Sequence, residues 1–246
     1  MKAEFKIPTE LDEIALVNYQ KFMRTSKGST DNEFVCQKMI ELFCGIRLRN
    51  VLEFKWSDVK ELTVHFGEMF KERPKFQHRF KIQDTEFGFI PDLENISFGE
   101  FIDLSKNITD VDNWNKAMAV MYRPITDTKG DKYSIEDYKG SNTYSEVMKF
   151  APLGVTLGAN VFFWTLRNDL LNSSLSYLKT IMNKENNLQT LAQKLNLTDN
   201  THGIHQFMQS LMETSSSLEM SLDYQYESVL CGYLLKSKSE ILRMKK

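Results

Sequence analysis

Apolar residues recur every three or four positions through the first part of the chain. Leu11, Ile14, Ala15, Tyr19, Phe22 and Met23 make one stripe, and Val35, Met39, Leu42 and Phe43 a second. Val59, Leu62, Phe66, Met69 and Phe70 make a third. That period places one face of each segment against a core and predicts three short helices. Their ends are also marked. Pro8-Thr9 reads as the first start, with Thr9 as N-cap and Asp12 in the first turn. A polar loop runs from Thr25 to Asn32. Asp31 caps the second helix, Gly45 stops it, Ser57-Asp58 opens the third, and Pro74 lies beyond its end.

The period then shortens to two. Phe80 and Ile82 alternate with polar residues, as do Phe87 and Phe89, which predicts a β-hairpin with a four-residue turn, Gln83-Asp84-Thr85-Glu86, closed by Pro91. Ser97-Phe-Gly-Glu100 has the spacing of a capping box, in which each side chain satisfies the other residue's backbone N–H, and Ile96 is placed to staple onto Phe101. Trp114, Ala117, Met118, Met121 and Tyr122 restore the helical period, and Pro124 is expected to end that helix. Asp127 to Ser141 reads as an exposed loop and Tyr144 to Phe150 as a short helix.

Leu153 to about Met182 is the longest predicted helix, apolar nearly all round at its start and so expected at the centre of the fold. Phe162 and Trp164 are expected core residues of this helix, and Gly158 is expected where another helix comes close. Residues 183–203 read as a polar linker. Residues 204–246 are helical again, with Phe207, Met208, Leu211, Leu218, Leu222, Tyr226, Val229 and Tyr233 in a ragged stripe. The expected fold is α+β and predominantly helical. Short helices and a β-hairpin pack around a long central helix, in a core domain 1–182 that carries a C-terminal helical appendage.

Composition narrows the class. Of 246 residues, 41% are hydrophobic and 26% charged, enough for a packed core. The net charge of −2 exerts no overall pull toward nucleic acid or membrane. Three cysteines, Cys36, Cys44 and Cys231, form no C-x-x-C pair and read as reduced thiols of a cytosol. Met1 to Thr25 is charged and contains Pro8, unlike a signal peptide. Phe150 to Leu166 carries no charge and holds Gly154-x-x-x-Gly158, but Pro152, Thr156, Asn160 and Thr165 favour a buried helix over a membrane span.

Candidate chemistry is sparse. His202-x-x-His205 with Asp199 has metal-ligand spacing on a helical turn, but no other His or Cys is close in sequence and a polar linker explains it. Asp92, Glu94, Glu100 and Asp103 resemble a nuclease carboxylate set, yet two residues separate Asp103 from Lys106, and Glu100 already serves as a cap. Lys71 to Lys81 interleaves basic residues with Phe76, His78 and Phe80. Bases stack on such rings, but strand alternation would send the phenylalanines inward and the charges outward. Lys236 to Lys246 is basic and suits a helix C-terminus or a partner. P-loop, nucleophile-elbow and H-E-x-x-H motifs are absent. No catalytic, cofactor-binding or metal-binding set emerges.

Three groups of segments carry a family resemblance. They are FKIPTELDEIALVNYQKFM (Phe5 to Met23), FCGIRLRNVLEFKWSDVKEL (Phe43 to Leu62), and FGFIPDLENISFGEFIDL (Phe87 to Leu104) with MAVMYRPIT and MKFAPLGVTLGANVFFWTL. Together, over about Phe5 to Leu178, they resemble an uncharacterised family encoded in the morphogenesis regions of tailed bacteriophages, including marine and crAss-like phages. The first two segments are similar to small helical modules of tail assembly chaperones, with Cys44, Gly45 and Ile46 where related sequences turn between helices. The resemblance implies a non-enzymatic virion component of the portal-connector, collar or tail, made in the bacterial host cytoplasm. The alternatives are a tail assembly chaperone absent from the mature particle and a nucleic-acid-binding phage protein. Expected partners are other phage structural proteins and further copies of the chain in a homo-oligomer or ring. The C-terminal helix is the expected partner-binding segment, with weak DNA contact at most and no membrane.

Overall fold

A computed structural model describes residues 5–184 apart from 30, 72 and 94. Residues 204–246, with His202, His205 and Asp199, lie outside the described residues, as does all but the start of the expected linker. The chain divides into two compact units at Asn160/Val161. The first holds all the described elements up to the opening turns of the last helix; the second is described only as that helix's continuation.

The described elements make an α+β fold of eight α-helices and four strands. Helices α1 (Leu16–Ser26), α2 (Asn32–Cys44), α3 (Leu48–Val51) and α4 (Trp56–Met69) precede strands β1 (Arg79–Ile82) and β2 (Thr85–Phe89). Then come α5 (Phe98–Asn107), α6 (Trp114–Met121), β3 (Tyr122–Lys129), β4 (Lys132–Ile135), α7 (Ser145–Met148) and α8 (Leu153–Lys184).

The helical third packs through rings. Phe22 of α1, Phe43 of α2 and Phe66 of α4 are buried, with Phe43 centred 5.2 Å from Phe22 and 5.5 Å from Phe66. Tyr19 stacks on Trp114 of α6 at 5.9 Å. The α2 boundaries follow the sequence signals: Asp31 accepts from the Phe34 N–H at 3.0 Å, and Gly45 takes a left-handed φ of 66°. The first helix departs from its expected start. Thr9 donates to Glu13 through both its backbone and its hydroxyl, Leu11–Glu13 is a single 3-10 turn, and α1 begins only at Leu16. The reason is tertiary. Ala15 forms an isolated bridge with Pro152, while the Leu153 N–H donates to the Ile14 carbonyl at 2.8 Å and the Leu16 N–H to the Ala151 carbonyl at 2.9 Å. Backbone groups that a longer helix would use internally hold the start of α8 instead.

The four strands form one antiparallel sheet in the order β1-β2-β3-β4. Phe80 pairs with Phe87 across the hairpin and stacks on it at 5.8 Å, and Tyr122 packs edge-on to Phe80 and Phe89. The turn is shorter than expected. Ile82 pairs with Thr85, which leaves two turn residues, Gln83 and Asp84, with Gln83 at φ 53°. Asp127 to Ser141 is also not simply a loop. It supplies the end of β3, the turn at Gly130 (φ 61°) and all of β4. Pro124 does not end a helix; it lies inside β3 opposite Phe87, and its carbonyl accepts from the Glu136 N–H at 3.0 Å. These strands escape the hydrophobic pattern because their outer half is exposed and held by the backbone ladder.

Helix α6 is buried along nearly its whole length. Its polar residue Asn115 is satisfied: Gln20 of α1 donates to it at 3.3 Å, and it donates to the Ser145 carbonyl of α7 at 3.0 Å. The start of α8 is buried as expected, from Leu153 through Asn160. Of the two large residues expected to be core further on, Trp164 is buried and Phe162 only partly so. No helix of the described residues is long and apolar enough to cross a membrane.

Gly158 marks a close approach, but its neighbour is an extended segment where a helix was expected. A methyl group there would come within 2.6 Å of the Lys75 carbonyl oxygen and 3.4 Å of the Phe76 Cα. Gly→Ala inside a helix ordinarily stabilises by about 1 kcal/mol. Gly158→Ala should instead destabilise by about 1–3 kcal/mol, because backbone must move. Urea denaturation measures the sign, and a stabilised variant would contradict this packing.

Candidate functional site

Helix α5 lies at the surface, and one carboxylate sets its pose. The capping box is complete: the Ser97 hydroxyl accepts from the Glu100 N–H at 3.2 Å, and Glu100 Oε2 accepts from the Ser97 N–H at 2.7 Å. The other oxygen, Oε1, accepts from Arg123 of β3 at 2.5 Å, and both side chains are buried. One residue therefore closes the helix start and ties it to the sheet. Burial pushes the Glu100 carboxyl up, but the Ser97 N–H and the Arg123 guanidinium outweigh it and hold its pKa below the ordinary value. Arg123 also lies over the Tyr138 ring at 5.6 Å. Tyr138 donates to Asp103, one turn after Glu100, and this bond holds the Asp103 carboxyl below its usual range.

The inner face of α5 buries Glu100, Leu104 and Asn107. The outer face is apolar and open. Phe98 is 77% exposed, Phe101 51% and Ile102 46%. These residues fall at i, i+3 and i+4, so they share one stripe. Phe101, expected to staple onto Ile96, is thus itself half exposed. Leu52 and Trp56, on either side of the start of α4, are each 63% exposed. Apolar side chains grouped this way are characteristic of interaction surfaces, whereas single exposed ones are commonplace.

The carboxylates that resembled a nuclease set are committed elsewhere. Glu100 and Asp103 have the structural partners just named, Asp92 accepts from Asn95 at 2.7 Å, and Glu94 lies outside the described residues. No group of three or more His, Cys, Asp or Glu side chains with metal-binding geometry occurs among the described residues. In the basic segment, Phe80 turns inward while Arg73, Lys75 and Lys81 are exposed. Lys71 pairs with Glu68 at 2.6 Å, and Arg79 sits 4.4 Å over the Tyr133 ring and donates to the Asp131 carbonyl. Sequence reasoning found the Ser97–Glu100 box but missed Arg123, which carries no local signal, and missed the exposure of Phe98, Phe101 and Ile102. Cys36 and Cys44 are both free thiols, and burial raises the Cys44 thiol to about 11.

Ser97→Ala should lower stability by about 1 kcal/mol, the usual loss for a cap. Arg123→Ala should lower it by about 3–5 kcal/mol, because Glu100 is left buried beside an empty position. Glu100 also makes stability depend on pH. Its folded pKa is depressed, so its contribution is complete above 4.5 and is lost as pH falls through the lower folded value. Denaturation curves of Glu100→Gln should show a flatter acid limb than the parent; identical limbs would remove Glu100 from the linkage.

Comparisons with family models, with curated proteins and with solved structures returned no match to this chain.

Proposed function

We propose that this chain is a non-enzymatic structural component of a tailed-phage particle, placed at the portal-connector, collar or tail and acting through protein–protein interfaces. The observation that carries the interface reading is the α5 stripe of Phe98, Phe101 and Ile102, held outward by a buried ion pair. A helix whose inner face is fixed and whose outer face is apolar suits an interface that persists. The phage setting rests on the resemblance of the segments between Phe5 and Leu178. In this reading the partners are other phage structural proteins and further copies of the chain in an oligomer or ring. The chain is made in the host cytoplasm and ends in the virion.

Mass spectrometry of purified particles tests the placement. The expected result is the chain at a fixed ratio to the portal or tail proteins. Abundance in the lysate with absence from particles would favour the tail assembly chaperone instead. The triple variant Phe98→Ser/Phe101→Ser/Ile102→Ser separates interface from fold. Its stability should change by no more than about 0.5 kcal/mol per surface site, while incorporation is lost. Normal incorporation of this variant would overturn the role given to α5.

A further inference from the structure

Two surfaces at opposite ends of α4 have complementary chemistry. At its start, the lead-in around Phe5 and the first turns of α4 enclose an open cleft of about 510 Å³. Phe5 stacks on Phe54 at 5.2 Å, and Leu62 adds to the apolar lining. His65 donates from Nε2 to the Pro8 carbonyl at 2.8 Å, which fixes the lead-in against α4. Asp58 and Glu61 line the cleft one turn apart. Both are exposed, and no ion pair engages either among the described residues. No Lys or Arg among the described residues lines the cleft. Past the far end of α4 the charge reverses. Arg73 and Lys75 are exposed, while Pro74 and Phe76 are half-buried. The Lys75–Phe76 backbone comes up against Gly158, and the Phe76 ring packs edge-on to Phe89 at 4.7 Å, so this basic ridge is fixed to the fold. No ion pair engages Lys75 among the described residues.

We propose that the ridge of one copy docks in the cleft of a second copy, with Arg73 and Lys75 pairing with Asp58 and Glu61 in a head-to-tail contact. The spacings match. Side chains three apart on a helix have Cβ atoms about 5–6 Å apart, and alternate residues of an extended chain stand about 6–7 Å apart. The aliphatic stems of the two cations cover the Phe5–Phe54 floor while their heads reach the carboxylates. Within one copy, α4 keeps the two surfaces apart, because its 14 residues at about 1.5 Å each span about 21 Å. Each copy thus carries one acidic and one basic surface that meet only between copies. A heterologous contact of this kind closes into a ring or runs on as a filament. The inference rests on the homo-oligomer of the proposed function, and on neither the phage setting nor α5.

Sedimentation velocity of the full-length chain, up to submillimolar concentration, tests this. The parent should self-associate, and the association should weaken with added salt, because exposed ion pairs are screened. Asp58→Lys/Glu61→Lys and Arg73→Glu/Lys75→Glu should each weaken it by at least about tenfold, since like charges then face one another. An equimolar mixture of the two variants should recover it, because each reversed surface meets its opposite on the other variant. All four sites are exposed, so the fold is retained, and circular dichroism checks this. A parent that stays monomeric, reversed variants that associate like the parent, or a mixture that recovers nothing would each overturn the proposal. Association lost in Phe98→Ser/Phe101→Ser/Ile102→Ser but kept in both charge-reversed variants would overturn it too, while leaving the reading of α5 in place.

Discussion

The described elements of the first unit are organised around the passage of α6 into β3, with no residue between them. Met121 ends the helix and Tyr122 begins the strand. The Met121 carbonyl leaves the helical ladder and accepts from the Ile90 N–H at 2.9 Å, so the helix end is already part of the sheet's pairing. Tyr122 is buried beneath Phe80 and Phe89, and its hydroxyl donates to the Gln77 carbonyl at 2.6 Å, which satisfies the one polar group it carries inward. At the other end of the same helix, Trp114 stacks on Tyr19 and donates to the Ile108 carbonyl at 3.0 Å. A rod of eight residues, seven of them buried, thus links the helical third, α5 and the sheet.

Two glycines let these layers close. Gly158 admits the Lys75–Phe76 backbone against α8. Gly88, opposite Arg123 in the sheet, leaves room for the Tyr133 ring, whose Cδ2 would stand 2.8 Å from an added methyl group. Tyr133 then donates to the Phe89 carbonyl at 2.8 Å and lies beneath Arg79, which anchors the exposed β3–β4 hairpin to the rest of the sheet. The hairpin is retained by a ring in a glycine gap and by its backbone ladder, without a hydrophobic face of its own.

That distinction explains what was legible in the sequence. Short-range devices were readable because their partners lie within one turn: the Asp31 cap, the left-handed Gly45 and the Ser97–Glu100 box all stand where the residues indicated. The stripe from Trp114 to Met121 was readable because burial on a helix leaves a period. Features decided by distant neighbours were not. Thr9 lost the helix start because the Leu153 N–H took the Ile14 carbonyl and the Ala151 carbonyl took the Leu16 N–H. The β3–β4 pairing uses backbone groups that every residue owns, so polar side chains concealed it. In the candidate site, Glu100 was visible as a cap, yet its partner Arg123 is 23 positions away. Phe98, Phe101 and Ile102 have the spacing of a core face; only the burial of Leu104 and Asn107 on the opposite side of α5 turns them outward.

Glu100 divides its two oxygens between a helix start and a strand, and this has a thermodynamic consequence for whatever meets α5. Association ordinarily loses free energy to the freezing of loops and backbone at the contact. Here the helix carrying Phe98, Phe101 and Ile102 is preorganised by folding itself, at both its first turn and its inner face. A ligand for this surface would order side-chain rotamers but not the segment. Differences in affinity among such ligands would then reside in how slowly they leave more than in how often they arrive.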